Sequence, residues 1–113
     1  MALYLTQVAY TSEAWATLAK NPQDRIGVVS KALENLGGRV VGGWLSFGDY
    51  DTVLISEMPD HISAAAFAMA IAAGGACKSV KTTPLLSTEE GLEAMKKAGA
   101  SGYAPPKAGK SKK

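Results

Sequence analysis

The sequence predicts an α+β fold in which helices cover one face of a four-stranded antiparallel sheet. Three observations predict it. Segments with apolar residues at every second position alternate with segments whose apolar residues recur at helical spacing. Glycine pairs and prolines separate these segments. The 113 residues have room for one domain, and 47% hydrophobic with 19% charged residues is typical of globular proteins.

The first third of the chain predicts a strand followed by two helices. Residues 3–10 alternate between two apolar faces, as a strand does. Thr11-Ser12 can cap a short helix, because a side-chain hydroxyl can accept from the first free backbone amides. Pro22 suits the first turn of a second, longer helix, and Gly37-Gly38 ends that helix.

The middle of the chain predicts an antiparallel hairpin. Residues 39–47 and 51–58 are the second and third strands, and the short turn at Gly48-Asp49 joins them. Gly42-Gly43 lies inside the second strand, where glycine indicates a bulge or a close approach of another backbone.

The last elements complete a ferredoxin-like β-α-β-β-α-β order. Asp60 can cap a helix that runs to Ala73, and residues 76–83 form the fourth strand. Ser87 and the glutamate three residues later match a capping box, which opens a short C-terminal helix through Lys97. This order is typical of a four-stranded antiparallel sheet with its helices on one face.

Composition divides the chain into three parts: a folded domain over residues 1–86, a C-terminal helix over 87–99 and a flexible basic tail over 100–113. The formal net charge is +2, but four of the 12 basic residues lie in the tail. The rest of the chain holds 8 basic and 10 acidic residues and therefore carries −2. A nearly neutral body argues against nucleic acid as a partner.

Hydropathy and cysteine usage bear on location. No run of about 18 apolar residues is present, which excludes a membrane-spanning helix. The first ten residues lack the basic region of a secretory signal. Cys77 is the only cysteine, so it has no intrachain disulfide partner and suits a reducing compartment. We therefore expect a cytoplasmic protein.

The first three strands are apolar on both faces, which predicts self-association. With strict alternation, either Val40 with Trp44 or Val41 with Leu45 and Phe47 faces away from the helices. A contiguous apolar patch of that kind is uncommon on a monomer. Two copies that press their open sheet faces together would cover it in a barrel-like homodimer.

Residues 64–73 form a helical segment without a polar side chain. Two interpretations stand here. Alanine is a strong helix former that tolerates water. Alternatively, the helix is buried on more than one side and contacts a second subunit through Phe67 or Ile71, which would build an oligomer larger than a dimer.

Several motifs resemble those of the GYD-domain family. Gly48-Asp49-Tyr50-Asp51, placed between an aromatic strand and an aliphatic one, resembles the Gly-x-Tyr-Asp signature of that family. Leu36-Gly37-Gly38 and Pro59-Asp60 are similar to it as well, and the resemblance covers roughly residues 2–86. It implies the fold of the dimeric α/β-barrel superfamily and an oligomer, but no activity. Relatives by fold include haem-binding and cofactor-free oxygenases, and a shared fold does not carry function.

Four residues are candidates for a ligand site. Tyr50 and Asp51 either stabilise the turn or lie at a pocket mouth as a hydrogen-bond donor and a base. Trp44 belongs to the core, an interface or a pocket wall. His61, the only histidine, is either solvated or an axial haem ligand. No pair of residues has metal-ligand spacing, and the sequence specifies no cofactor.

These observations favour a small homo-oligomeric module that binds a small apolar ligand or serves as an interaction and assembly domain. The alternative is a cofactor-free or haem-dependent monooxygenase of the dimeric α/β-barrel type. An enzyme needs an enclosed apolar pocket with convergent titratable groups, and a purely structural module would fill that space with side chains.

Overall fold

The computed structural model describes residues 1–107, and it confirms the ferredoxin-like α+β fold. The elements in chain order are β1 (Ala2–Tyr10), α1 (Ser12–Lys20), α2 (Arg25–Asn35), β2 (Arg39–Leu45), β3 (Thr52–Met58), α3 (His61–Ala73), β4 (Cys77–Leu85) and α4 (Thr88–Gly99). The strands form one antiparallel sheet in the order β2-β3-β1-β4.

The beginning of α2 differs from the prediction. The helix starts at Arg25, and Pro22 precedes it instead of lying in its first turn. The reason is Asp24, whose Oδ1 accepts from the backbone amides of Ile26 at 3.0 Å and Gly27 at 3.4 Å. A carboxylate at the N-cap satisfies two amides that a start at Pro22 would leave to the solvent.

The other helix caps are the predicted ones. The side chains of Thr11 and Asp60 accept from the third amide beyond them, and Ser87 and Glu90 form the reciprocal capping box. The C-terminal helix extends two residues past the predicted Lys97, to Gly99. None of its side chains is buried.

The strand ends differ by a few residues. β2 ends at Leu45, so the predicted Phe47 lies outside the sheet, 98% exposed. β4 extends to Leu85 and includes Pro84. An edge strand can accept a proline because one of its sides has no ladder hydrogen bonds to lose.

The helix-covered sheet face supplies the core. Along β1 and β3 buried residues alternate with half-buried ones, as the period-two pattern predicts. The buried hydrophobic cluster consists of Tyr4, Leu33, Leu54, Met58, Ala64 and Phe67.

A bulge in β2 overturns the prediction of strict alternation. Val40 pairs with Ser56 and Gly42 pairs with Ile55, so Val41 is an extra residue without a partner. The extra residue moves the later side chains of the strand to the opposite face. Val40 therefore packs against the core, while Trp44 lies on the open face.

The alanine-rich helix α3 places Phe67 in the core, where it is 2% exposed. Ile71 packs against the same cluster. The interpretation of Phe67 as a contact to a second subunit is therefore wrong. The large apolar side chains that α3 does expose are Ile62 and Met69.

Gly38 is required by the packing of the α2–β2 connection. A Cβ there would overlap Met58 Sδ and lie 2.6 Å from the backbone oxygen of Glu57. Because the backbone oxygen belongs to a sheet strand, we expect Gly38→Ala to lower the free energy of unfolding by about 1–3 kcal/mol. Urea denaturation followed by circular dichroism measures this change.

The control for Gly38→Ala is Gly91→Ala in α4, where a Cβ meets nothing within 4 Å. Alanine has a higher helix propensity than glycine, so this variant should keep or raise the free energy of unfolding. Equal stability of both variants would contradict the close packing at Gly38.

Within residues 1–107 no helix has the length and apolarity needed to cross a membrane. The first residues of the predicted basic tail, 100–107, are exposed. The remainder of that tail, residues 108–113, lies outside the described residues.

Candidate ligand-binding site

A cavity of about 260 Å³ lies between the two large helices and the sheet. It lies over the end of the sheet formed by the later residues of β1 and the first residues of β3, between the first part of α2 and the last part of α3. Its apolar lining includes Val8, Ile26, Val29, Leu54, Phe67 and Ile71.

Small side chains keep this space open. Ala32 on α2 and Ala70 on α3 line the cavity, together with Gly74 just after α3. On the sheet, Thr6 and Thr52 occupy positions on the helix-covered face and are buried. Larger residues at these positions would close the gap, so the cavity follows from side-chain volume as well as from helix placement.

One end of the cavity is polar. Tyr10 pairs with Cys77 across the sheet, and Val8 pairs with Thr52, so the end of β1 and the beginnings of β3 and β4 lie together. There the Tyr10 hydroxyl and Thr52 Oγ1 share a buried hydrogen bond of 3.1 Å. Arg25 and Cys77 also line the cavity.

Arg25 brings a positive charge to this end. Its side chain is half-buried, and Nη1 donates to Gln23 Oε1 at 3.1 Å. Within residues 1–107 the single ion pair closer than 4.0 Å is Arg39–Glu57, so no carboxylate of the described chain pairs with Arg25. A second cleft of about 230 Å³ on the α1 side is also lined by Tyr10 and Arg25.

Cys77 is a free, half-buried thiol. Burial raises the pKa of Cys77, and the positive charge of Arg25 partly offsets that rise. The thiol is therefore predominantly protonated at neutral pH, which lowers its reactivity.

Trp44 does not line the cavity. It lies on the open sheet face, 56% exposed, opposite Val53. Its ring folds back over Gly42, where a Cβ would come within 2.7 Å of Trp44 Cη2. The glycine in the strand is thus explained by the close approach of this indole, beside the bulge.

Asp51 connects three elements. Its Oδ2 accepts from the backbone amide of Tyr10 at 2.9 Å and from Trp15 Nε1 at 3.2 Å. Trp15 packs edge-on against the Tyr10 ring, with 5.3 Å between centroids. The carboxylate thus anchors α1 and the end of β1 to the hairpin, across 41 positions of sequence.

Tyr50 lies next to Asp51 in the turn and is half-buried. Its backbone oxygen accepts from Ser46 Oγ at 2.7 Å, and Gly48 adopts φ +139°, which favours glycine. These contacts agree with the interpretation of this segment as a fixed turn.

His61 is exposed at the first position of α3. Hydrogen bonds from Ser63 lower the pKa of the capping Asp60, and His61 makes a smaller contribution. The seven residues of β3 separate His61 from Asp51 by roughly 20 Å.

Of the four candidate residues, Trp44, Tyr50 and Asp51 therefore belong to one hairpin, His61 lies at the other end of β3, and none lines the 260 Å³ cavity. Within residues 1–107 no three His, Cys, Asp or Glu side chains form a group that could hold a metal. The role of these four residues and the monooxygenase alternative stay predictions.

Tyr10 is one of the aromatic residues that the sequence offers as a pocket wall, and it does line the cavity, but the sequence analysis missed Arg25 and Thr52. Two signals point to them. Threonines occupy positions 6 and 52 on the helix-covered faces of β1 and β3, which are mostly apolar. Arg25 is the first residue of its helix, and its neighbours on the helix surface, Val28 and Val29, are not acids that could pair with it.

The fold and the cavity define a two-layer α/β protein with space for a small molecule between its layers. The family model of the GYD domain matches residues 4–95, and the chain belongs to the GYD-domain family. This match extends past the fourth strand into α4.

No curated protein matches the chain. Among solved structures, the chain is similar to the one described as "crystal structure of FFRP-DM1", with a TM-score of 0.48 and 13% sequence identity. The similarity covers 76% of this chain and 100% of that one.

Proposed function

We propose that this protein is a homo-oligomeric module that binds a small apolar ligand between its helices and its sheet. The observation that supports this function is the 260 Å³ cavity with its predominantly apolar lining. An apolar cavity of about 150 Å³ can hold benzene, so this one has room for about ten non-hydrogen atoms. Concave sites with an apolar wall and a few polar groups are the usual form of small-molecule sites.

The module is proposed to be a cytoplasmic homodimer that pairs through its open sheet face. This face carries an apolar centre composed of Leu3, Leu5, Trp44, Val53, Ile55 and Leu85. The Arg39–Glu57 ion pair and Lys81 lie at its margins. An apolar centre with a polar rim is typical of protein interfaces. The cavity lies on the opposite side of the sheet and stays accessible in such a dimer.

Ligand binding can be measured by the alkylation rate of Cys77, because the only cysteine of the chain lines the cavity. We expect phenylacetamide, a neutral molecule of suitable size, to slow alkylation of Cys77 by N-ethylmaleimide. If only the empty protein reacts, ligand at ten times its Kd slows the reaction about tenfold. Mass spectrometry of the intact protein over time, at pH 8, measures the rate.

Two variants of α3 make this experiment specific. Ala70→Phe places a ring in the cavity and should abolish the protection, whereas Ala73→Phe lies on the same helix outside the lining and should retain it. Alkylation at an unchanged rate in the native protein at every soluble concentration of phenylacetamide would refute a ligand site here.

A further inference from the structure

The polar end of the cavity holds a permanent cation without an anionic partner among residues 1–107. The nearest acid in sequence, Asp24, directs its Oδ1 to the amides of its own helix. Arg25 meets Gln23, a neutral side chain. A guanidinium is a strong donor that favours a carboxylate, because its planar fork matches the two oxygens.

A hydroxyl pair adds to this end. Tyr10 and Thr52 share one hydrogen bond, in which one hydroxyl donates and the other accepts. The accepting hydroxyl keeps its own hydrogen, and no further side-chain hydrogen bond of this pair is present within the described chain. Tyr10 lines both clefts that Arg25 lines, so the two donors border the same space.

We propose that the ligand is an amphipathic carboxylate whose apolar body fills the cavity and whose carboxylate binds the Arg25 guanidinium. This inference rests on the proposed ligand-binding function and narrows it to one chemical class. Away from Arg25, Tyr10, Thr52 and Cys77, the lining side chains are apolar except for the buried Thr6. The charged group therefore lies at the Arg25 end, where solvent and the guanidinium both reach it.

The test compares three probes of similar shape and different charge: phenylacetate, phenylacetamide and 2-phenylethylammonium. Their Kd values are obtained by NMR titration of the ¹⁵N-labelled full chain, followed at the amides of Thr6, Thr52 and Cys77. A charge-assisted hydrogen bond is about twice as strong as a neutral one, so phenylacetate should bind about tenfold more tightly than the amide. The ammonium probe should bind more weakly than the amide.

Substitution of the arginine locates the effect. Arg25→Gln should make the Kd of phenylacetate equal to that of phenylacetamide, because the variant has no positive charge that distinguishes the acid from the amide. Arg25→Lys keeps the charge without the planar fork and should restore part of the preference. Lys31→Gln, which removes the same charge from an exposed position of the same helix, should leave all three Kd values unchanged.

The outcomes separate the two proposals. If the acid and the amide bind the native protein equally well, the carboxylate inference is wrong and the ligand-binding function stands. If none of the probes shifts the cavity amides, both proposals fail. Preference for the acid that survives in Arg25→Gln would place the anion elsewhere and overturn the role of Arg25. The probe series on the native protein decides the carboxylate question even if a variant fails to fold.

Discussion

Phe67→Asp is expected to unfold the protein. Phe67 is 2% exposed and packs in the hydrophobic cluster with Leu54 and Met58. Removing a buried phenylalanine side chain costs about 3–5 kcal/mol, and an unpaired buried carboxylate adds to this cost. Small domains have a total stability of about 5–15 kcal/mol, so this single change takes most of it. Far-UV circular dichroism during thermal unfolding measures the loss.

Met69→Asp is the matched control, since it introduces the same charge two residues further along α3 at a side chain that is 69% exposed. This variant should remain folded with a Tm close to that of the native protein. A Phe67→Asp protein that folds normally but forms a smaller assembly would instead show that Phe67 is an interface residue and would contradict its place in the core.

The sequence could not decide the environment of Phe67 because α3 has no polar face to contrast with an apolar one. Its exposed and buried positions are filled by the same residue types, mainly alanine. In α2 the polar residues mark the solvent side, and the buried Leu33 follows from the pattern. Burial on α3 depends on which residues meet the sheet, and that is a property of tertiary packing.

Caps, turns and strand alternation were predictable because their causes are local. Thr11, Asp60 and Ser87 each satisfy backbone amides within three residues, which short sequence patterns reveal. The glycine pair also indicated a bulge in β2, but its position at Val41 was not predictable, because one additional residue changes the face of all later side chains while the composition of the strand stays the same. Gly42 indicated an irregular strand, and the structure adds the reason for a glycine at this position, which is the Trp44 ring that packs on it.

The candidate site was the least predictable feature. The signature residues Tyr50 and Asp51 attract attention as a motif, but the Asp51 carboxylate is engaged by Tyr10 and Trp15. The cavity is a space between helices, set by where α2 and α3 rest on the sheet and by small residues that fail to fill the gap. Its polar end combines residues from α2, β1, β3 and β4, whose proximity follows from strand order and register.

The second large effect is expected from Ile55→Asp on the open sheet face. Ile55 lies on the interior strand β3, with Leu5 opposite it on β1 and Gly42 opposite it on β2. In a sheet-paired dimer the substitution buries one carboxylate from each subunit in the apolar centre. A cost of about 2 kcal/mol per subunit weakens the dimer roughly a thousandfold. Native mass spectrometry at micromolar concentration should then detect the monomer where the native protein gives the dimer.

Met69→Asp again serves as the control, because it adds the same charge to an exposed apolar position away from the sheet and should leave the dimer mass unchanged. Ile55→Asp has to retain the circular dichroism spectrum of the native protein, which is expected because the half-buried Ile55 side chain lies outside the core cluster. A dimer that persists in folded Ile55→Asp, or a native protein that is monomeric, would exclude the open sheet face as the interface. If ligand affinity is unchanged in the monomeric variant, the cavity functions within one subunit, because it lies on the helix side of the sheet.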